Sequence, residues 1–190
     1  MKHCVLGILD TIKGHHIAEK MLEWLEPQYE VMTVTHDGSM FEWPALSRAQ
    51  QWSLEIGKPV LYLHTRGAVN IHFTTEATHR MWREQFGQYG DRYFNIVENL
   101  SPVVACPFTG DKQITWYNGF VANPAAWRNV IIPSPNEAER HAYERMFCGT
   151  KVEVVGILSK TQDNDKEDSV IAARDILMKR YKDGYSICSW

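Results

Sequence analysis

Four consecutive residues, His64-Thr65-Arg66-Gly67, place an imidazole, a hydroxyl and a guanidinium directly after an apolar segment. That segment, residues 59–63, is rich in strand-forming residues and is typical of a strand buried on both faces of a sheet. Open α/β sheets bind their ligands at the edge where parallel strands end. A buried strand that carries these polar side chains to that edge makes them a candidate ligand site. The alternative is a polar turn in which Gly67 supplies a positive φ.

Polar residues also follow the first two predicted strands. Asp10 and Thr11 come directly after an apolar run over residues 4–9, and Asp37 lies in a turn after residues 30–35. Because the carboxyl ends of parallel strands meet at one edge of a sheet, we expect these side chains to lie near one another on the ligand edge. The alternative is that they cap a helix and form a turn.

A single α/β domain would position these side chains. Apolar runs of strand length alternate with helical spacing of apolar residues, and the βαβ unit at the start favours a parallel sheet. We therefore predict one α/β/α sandwich over residues 1–190, with a mainly parallel sheet in which residues 60–63 form an inner strand. Gly87 and Gly90 predict a break in the third helix. The predicted strands cover residues 4–9, 30–35, 60–63, 103–106 and 152–158. The predicted helices cover residues 17–25, 44–56, 76–94, 136–146 and 170–181. A flexible charged linker is predicted over residues 161–169.

The overall composition is that of an ordinary globular protein. Of 190 residues, 44% are hydrophobic and 23% are charged, and the net charge of −3 provides no general attraction to nucleic acids or anionic membranes. No apolar stretch approaches the ~20 residues of a membrane span, and Asp10 interrupts the N-terminal run before it can form a signal peptide. The four cysteines are far apart and lack the spacing of a zinc site. We expect a cytoplasmic, intracellular protein with reduced thiols.

Five short segments between residues 41 and 147 share residue types and order with one family. They are Phe41-Glu42-Trp43-Pro44-Ala45-Leu46, Tyr62-Leu63-His64-Thr65-Arg66-Gly67, Trp82-Arg83, Asn118-Gly119-Phe120-Val121-Ala122, and the pair Arg140 and Glu144. On these segments the chain resembles small glycosyltransferase-like proteins of bacteria, large DNA viruses and phages, whose hallmark is Tyr-x-His-Thr-Lys-Gly. Arg66 takes the place of the usual lysine. In the last two segments the Gly-Asn order is inverted and the expected tryptophans are absent.

The resemblance implies a glycosyltransferase with a GT-A-like fold, in which an α/β/α sandwich binds a UDP- or GDP-linked sugar at the carboxyl edge of its sheet. The nucleoside diphosphate that leaves during transfer gains negative charge, and Arg66 would stabilise that charge. Arg83 is a second candidate for a phosphate contact, with a surface salt bridge as the alternative. The candidate donor-binding residues are Asp10, Thr11, Asp37, His64, Thr65, Arg66, Gly67 and Arg83.

A divalent metal ion usually contacts the donor diphosphate in GT-A enzymes, where Asp-x-Asp at the end of the central strand binds Mn²⁺ or Mg²⁺. This chain has no such triplet there, and its one example, Asp163-Asn164-Asp165, lies in the charged linker. His64 could bind Mn²⁺ or Mg²⁺ together with a carboxylate from elsewhere. Alternatively, His64 and Arg66 could replace the metal ion.

Activation of the acceptor would require a base if the reaction inverts the anomeric configuration. Two glutamates lie seven residues apart on the helix predicted over 136–146 and would face the same way, although such carboxylates are commonly only solvated. A nearby aromatic segment could stack on a sugar or could simply fill the core. The catalytic candidates are Glu137, Glu144 and Arg66, and the acceptor-binding candidates are Trp116, Tyr117 and Asn118.

Other functions fit the same residues. A catalytically inactive relative that only binds a nucleotide sugar or a glycan is the main alternative, and the missing Asp-x-Asp and tryptophans favour it. A nucleotide-binding module without sugar chemistry is the third. The acceptor of a transferase could be a saccharide or a modified base in viral DNA, although the net charge argues against DNA. Nucleic acid is expected in no other role, and a viral protein would act in the host cytoplasm.

Overall fold

Strands and helices alternate from the start of the chain, as the βαβ pattern predicts. The computed structural model describes residues 1–65, 73–109, 115, 119–135 and 142–158, with the backbone alone for 73–77. The linker predicted over 161–169 and the helix predicted over 170–181 lie outside these residues. In chain order the elements are β1 (Lys2–Leu9), α1 (Ile12–Leu25), β2 (Tyr29–His36), α2 (Trp43–Ile56), β3 (Val60–His64), α3 (Phe73–Trp82), a π-helical segment (Arg83–Gln88), α4 (Gly90–Asn99), β4 (Val103–Cys106), β5 (Phe120–Ala122), α5 (Pro124–Arg128) and β6 (Glu153–Gly156).

The described strands form one six-stranded mixed sheet in the order β2-β1-β3-β5-β4-β6. β1 pairs in parallel with β2 and β3, and β4 pairs in parallel with β6. β5 is antiparallel to both of its neighbours, β3 and β4. β3 lies inside the sheet between β1 and β5, and all five of its residues are buried. The predicted α/β class and the inner position of residues 60–63 are therefore confirmed, with a sheet that is mostly parallel.

Hydrophobic side chains cover both faces of this sheet. Leu6 of β1 and Leu61 of β3 belong to one core, which also contains residues of α1, the π-helical segment and α4. Val5 and Tyr62, one position away on the same strands, belong to a second core with residues of α2 and α5. This alternation is that of strands buried on both faces, and it is compatible with an α/β/α sandwich. Within the described ranges, no helix is long and apolar enough to cross a membrane.

Local sequence signals explain where the helices beside the strand ends begin and end. Thr11 caps α1, because its Oγ1 accepts the N–H of Gly14 at 2.9 Å. Pro44 lies in the first turn of α2, and Gly57 ends that helix with a left-handed φ of 67°. The break predicted in the third helix also occurs, since the π-helical segment separates α3 from α4, which begins at Gly90.

Residues 142–150 form a series of turns, so the helix predicted over 136–146 is wrong in its described part. The N–H groups there bond to carbonyls three residues back, as Cys148 does to Arg145 at 2.9 Å. The carbonyl of Glu144 instead accepts the N–H of Thr115 at 2.9 Å. A tertiary hydrogen bond thereby takes the acceptor that an α-helix would use, and the local helical preference is overridden.

Candidate functional site

Three hydrogen bonds bring the ends of β1, β2 and β3 together at the carboxyl edge of the sheet. The N–H of Asp10 donates to the carbonyl of His36 at 2.8 Å, which joins the ends of β1 and β2. The N–H of Thr65 donates to the carbonyl of Gly7 at 2.9 Å. The hydroxyl Oγ1 of Thr65 accepts the N–H of Leu9, also at 2.9 Å. The segment that begins with His64 and Thr65 is thus fixed to the end of β1.

Several donor-binding candidates at this edge have structural partners. The Thr11 hydroxyl caps α1, and the Asp10 carboxylate lies 2.9 Å from Nε2 of His15. Asp37 accepts the N–H of Ser39 at 2.8 Å and its hydroxyl at 2.6 Å. These bonds to Ser39 hold the pKa of Asp37 below its ordinary value. Thr11 therefore caps a helix and Asp37 forms a turn, as the alternative interpretation of these residues predicts.

Glu42 links the end of β3 to the start of α2. Its Oε2 accepts a hydrogen bond from the Tyr62 hydroxyl at 3.2 Å, and its Oε1 lies 3.6 Å from Nε2 of His64. The His64 ring stacks on the Tyr62 ring, with centroids 6.1 Å apart, and meets the Trp82 ring edge-on at 5.6 Å. We call Glu42, Tyr62, His64 and Trp82 the Glu42 cluster. It unites three of the five segments that carry the family resemblance.

The fourth segment packs against the same cluster. A Cβ at Gly119 would collide with Nε1 of Trp82, so only glycine allows the indole to lie this close to the backbone. The next residue, Phe120, lies with its ring centroid 5.5 Å from that of Tyr62. Segments that are far apart in the sequence therefore form one continuous group of contacts around the end of β3.

Burial and the charge of Glu42 determine the electrostatics around this cluster. Burial, followed by the charge of Glu42, raises the pKa of Tyr62 and that of Tyr143. Burial lowers the pKa of His36, although the charges of Glu42 and Asp37 oppose that shift. Tyr143 is only 3% exposed, and its hydroxyl has no hydrogen-bond partner among the described residues. Both phenols therefore stay protonated at neutral pH.

The remaining candidates lie elsewhere or outside the described residues. Arg83 is exposed on the π-helical segment beside Gly87, on the side of that segment that faces Trp24 of α1. Glu144 is 6% exposed, and its carbonyl accepts both the N–H and the hydroxyl of Thr115. The structure thus places neither residue among the members of the Glu42 cluster. The candidates outside the described residues are Arg66, Gly67, Trp116, Tyr117, Asn118 and Glu137.

A metal ion at the end of β3 would find few protein ligands in the described part of the chain. Across those residues, no group of three His, Cys, Asp or Glu side chains is placed to bind one. His64 and Glu42 provide one imidazole and one carboxylate, 3.6 Å apart. Mg²⁺ is commonly bound by one or two carboxylates together with substrate phosphates, so the Glu42 carboxylate is the ligand of this pair that would suit a metal arriving with the donor. Metal dependence therefore stays a prediction.

Comparisons of the chain with protein-family models, with curated proteins and with solved structures find no match in any of the three. The site is therefore interpreted from its own geometry. The resemblance carried by the five segments stays an expectation.

Glu42 and Tyr143 are absent from the candidate residues that the sequence indicates. Glu42 had a signal, because it is a charged residue between the aromatic side chains of Phe41 and Trp43. Tyr143 had none, since a tyrosine in a polar segment is indistinguishable from a surface residue. Only the tertiary packing of residues 142–150 buries it in the core.

Proposed function

We propose that the chain is a glycosyltransferase that moves a sugar from a UDP- or GDP-linked donor to a hydroxyl acceptor. The observation that supports this proposal is the convergence of the resembling segments. Glu42 comes from the first, Tyr62 and His64 from the second, Trp82 from the third, and Gly119 packs on Trp82 from the fourth. Segments with separate structural roles have no reason to meet at the one edge where α/β sheets bind ligands.

The carboxyl edge also has groups that suit a diphosphate. Arg66 and Gly67 follow Thr65 in the sequence, and Thr65 is fixed to β1 by two hydrogen bonds. α1 begins beside Thr11 at the same edge, and the N-terminus of a helix attracts anions. During transfer, the acceptor oxygen bonds to the anomeric carbon, the bond from that carbon to the diphosphate breaks, and the acceptor proton passes to a base. A fixed cation beside the departing diphosphate would then lower the barrier.

Release of nucleoside diphosphate tests this proposal. The full chain is incubated with UDP- and GDP-linked sugars and simple glycoside acceptors, with and without Mn²⁺, and released UDP or GDP is measured. We expect release from at least one donor, and we expect Arg66→Ala to slow it by roughly 10²- to 10³-fold, the range for loss of one charge-stabilising group. Arg128→Ala is the matched control, because Arg128 is an exposed arginine on α5.

Binding without turnover distinguishes the alternatives. A ligand that binds only the folded chain raises its melting temperature. Stabilisation by nucleotide sugars without any release of diphosphate would favour the inactive, sugar-binding relative. Stabilisation by UDP or GDP alone would favour a nucleotide-binding module. If no nucleotide or nucleotide sugar changes the melting temperature, the proposal is wrong.

A further inference from the structure

A carboxylate and an imidazole form a pair at the carboxyl edge of the sheet, where β1 ends and α1 begins. Nε2 of His15 lies 2.9 Å from Oδ1 of Asp10, within hydrogen-bond distance. A carboxylate only accepts hydrogen bonds, so Nε2 carries the proton and Nδ1 of the neutral imidazole keeps a lone pair. Within the described ranges, Nδ1 makes no hydrogen bond of its own. This is the arrangement of a general base and the carboxylate that orients it.

Both side chains of the pair are accessible to a ligand. The exposed fraction is 49% for the side chain of His15 and 63% for that of Asp10. A general base must contact the hydroxyl from which it takes a proton, so this exposure is a requirement for the role. Of the two glutamates that the sequence suggests as a base, Glu144 is only 6% exposed and Glu137 lies outside the described residues. His15 is therefore better placed than Glu144 to meet an acceptor.

Hydrogen bonds of the sheet edge hold the pair beside the proposed donor site. The N–H of Asp10 donates to the carbonyl of His36 at 2.8 Å, and the N–H of Leu9, the residue before it, donates to the Thr65 hydroxyl at 2.9 Å. Helical side chains point back towards the N-terminus of their helix, so the His15 ring lies over the start of α1, in agreement with its contact to Asp10. The imidazole therefore lies at the same edge as Thr65 and the proposed position of the diphosphate.

We infer that His15 is the general base of the transfer and that Asp10 positions it, an inference that rests on the proposed function. The acceptor hydroxyl gives its proton to Nδ1 of His15 while its oxygen bonds to the anomeric carbon. The bond from that carbon to the diphosphate breaks, and its electron pair leaves with the diphosphate. The Asp10 carboxylate stabilises the imidazolium that forms, and the imidazolium returns its proton to solvent after the products leave. This single displacement inverts the anomeric configuration.

The same helix provides a matched control pair. Nδ1 of His16 lies 3.7 Å from Oε2 of Glu19, both side chains are exposed, and both residues belong to α1. The test variants are His15→Ala and Asp10→Asn. The controls His16→Ala and Glu19→Gln make the same kinds of chemical change in the second pair. Alanine is the best helix former, so α1 should stay intact in both histidine variants.

Steady-state kinetics of the full chain tests the inference. The donors are UDP-glucose and GDP-mannose, the acceptors are the methyl glycosides of glucose, galactose and mannose, and released UDP or GDP is measured. His15→Ala should lower kcat by roughly 10²- to 10⁴-fold, the contribution of a general base, with the KM for the donor unchanged. Added imidazole should restore part of that rate, because a small base can take the place of the missing ring. Asp10→Asn should lower kcat by roughly 10- to 10³-fold, also at unchanged KM, because an amide can hold the ring in the wrong tautomer.

The controls and the product complete the test. His16→Ala and Glu19→Gln should keep the wild-type kcat, and imidazole should not accelerate them. The product should have the inverted anomeric configuration, which NMR of the glycoside determines.

Other results overturn the inference or separate it from the proposed function. If the wild type is active and His15→Ala turns over as fast as His16→Ala, or if imidazole does not raise its rate, His15 is not the base and the proposed function stands. A product with retained configuration leads to the same conclusion. If the test variants raise the KM for the donor and leave kcat unchanged, the pair binds the donor and is not the base. If the wild type releases no UDP or GDP, the proposed function fails and the inference fails with it.

Discussion

Replacement of Thr65 by valine should destabilise the fold through one defined hydrogen bond. The Thr65 hydroxyl accepts the N–H of Leu9 at 2.9 Å, and the residue is 4% exposed. Valine has nearly the same shape, so no cavity forms, but the Leu9 N–H loses its acceptor. An unsatisfied buried donor costs about 1–3 kcal/mol. We therefore expect the free energy of unfolding of Thr65→Val to fall by that amount.

Urea denaturation measures this change, with the midpoint lowered and the slope unchanged. Hydrogen exchange at the Leu9 amide should become faster in the same variant, which locates the loss. Thr33→Val is the control, because Thr33 is exposed on the edge strand β2 and surface substitutions change stability by less than about 0.5 kcal/mol. If Thr65→Val unfolds like Thr33→Val and its Leu9 amide exchanges at the wild-type rate, the hydroxyl does not fix the end of β3 to β1.

Three further predictions concern two buried histidines, Phe41 and Gly119. Burial lowers the pKa values of His3 and His36, so the unfolded chain binds protons more strongly. Stability should then fall as pH drops below about 6.5, and His3→Gln with His36→Gln should flatten that dependence in urea titrations. Phe41→Gly should be about 1 kcal/mol more stable than Phe41→Ala, because glycine adopts a φ of 50° without strain. This is the reverse of the usual order of the two residues. Equal urea midpoints for the two variants would contradict the strained backbone. The free energy of unfolding of Gly119→Ala should be about 1–3 kcal/mol lower than that of the wild type, because the added Cβ meets the Trp82 indole. A wild-type melting curve for this variant would exclude that contact.

The framework of the fold could be predicted from local patterns. Residues 60–63 are apolar without interruption, and such a run has few stable placements other than an inner strand. Pro44 and Gly57 similarly predict the start and end of α2. The short helix α5 was missed, although Asn123 and Pro124 are the usual signals of a helix start.

Of the candidate site, only the positions of residues at strand ends could be predicted from the sequence. Thr65 and His64 lie at the carboxyl edge because β3 ends there. The roles of their neighbours depend on tertiary contacts that periodicity does not contain. The carbonyl of Glu144 bonds to Thr115 instead of to the next turn of a helix, and the packing of the same turns buries Tyr143 in the core.

A crystal structure of the chain soaked with UDP-glucose or GDP-mannose, with and without Mn²⁺, tests the central claim most directly. The proposed glycosyltransferase should show the diphosphate and the sugar at the carboxyl edge, beside His64 and the N-terminus of α1. Density at the opposite edge, beside Lys2 and Tyr29 at the starts of β1 and β2, would contradict that claim, as would a soaked crystal without any bound nucleotide.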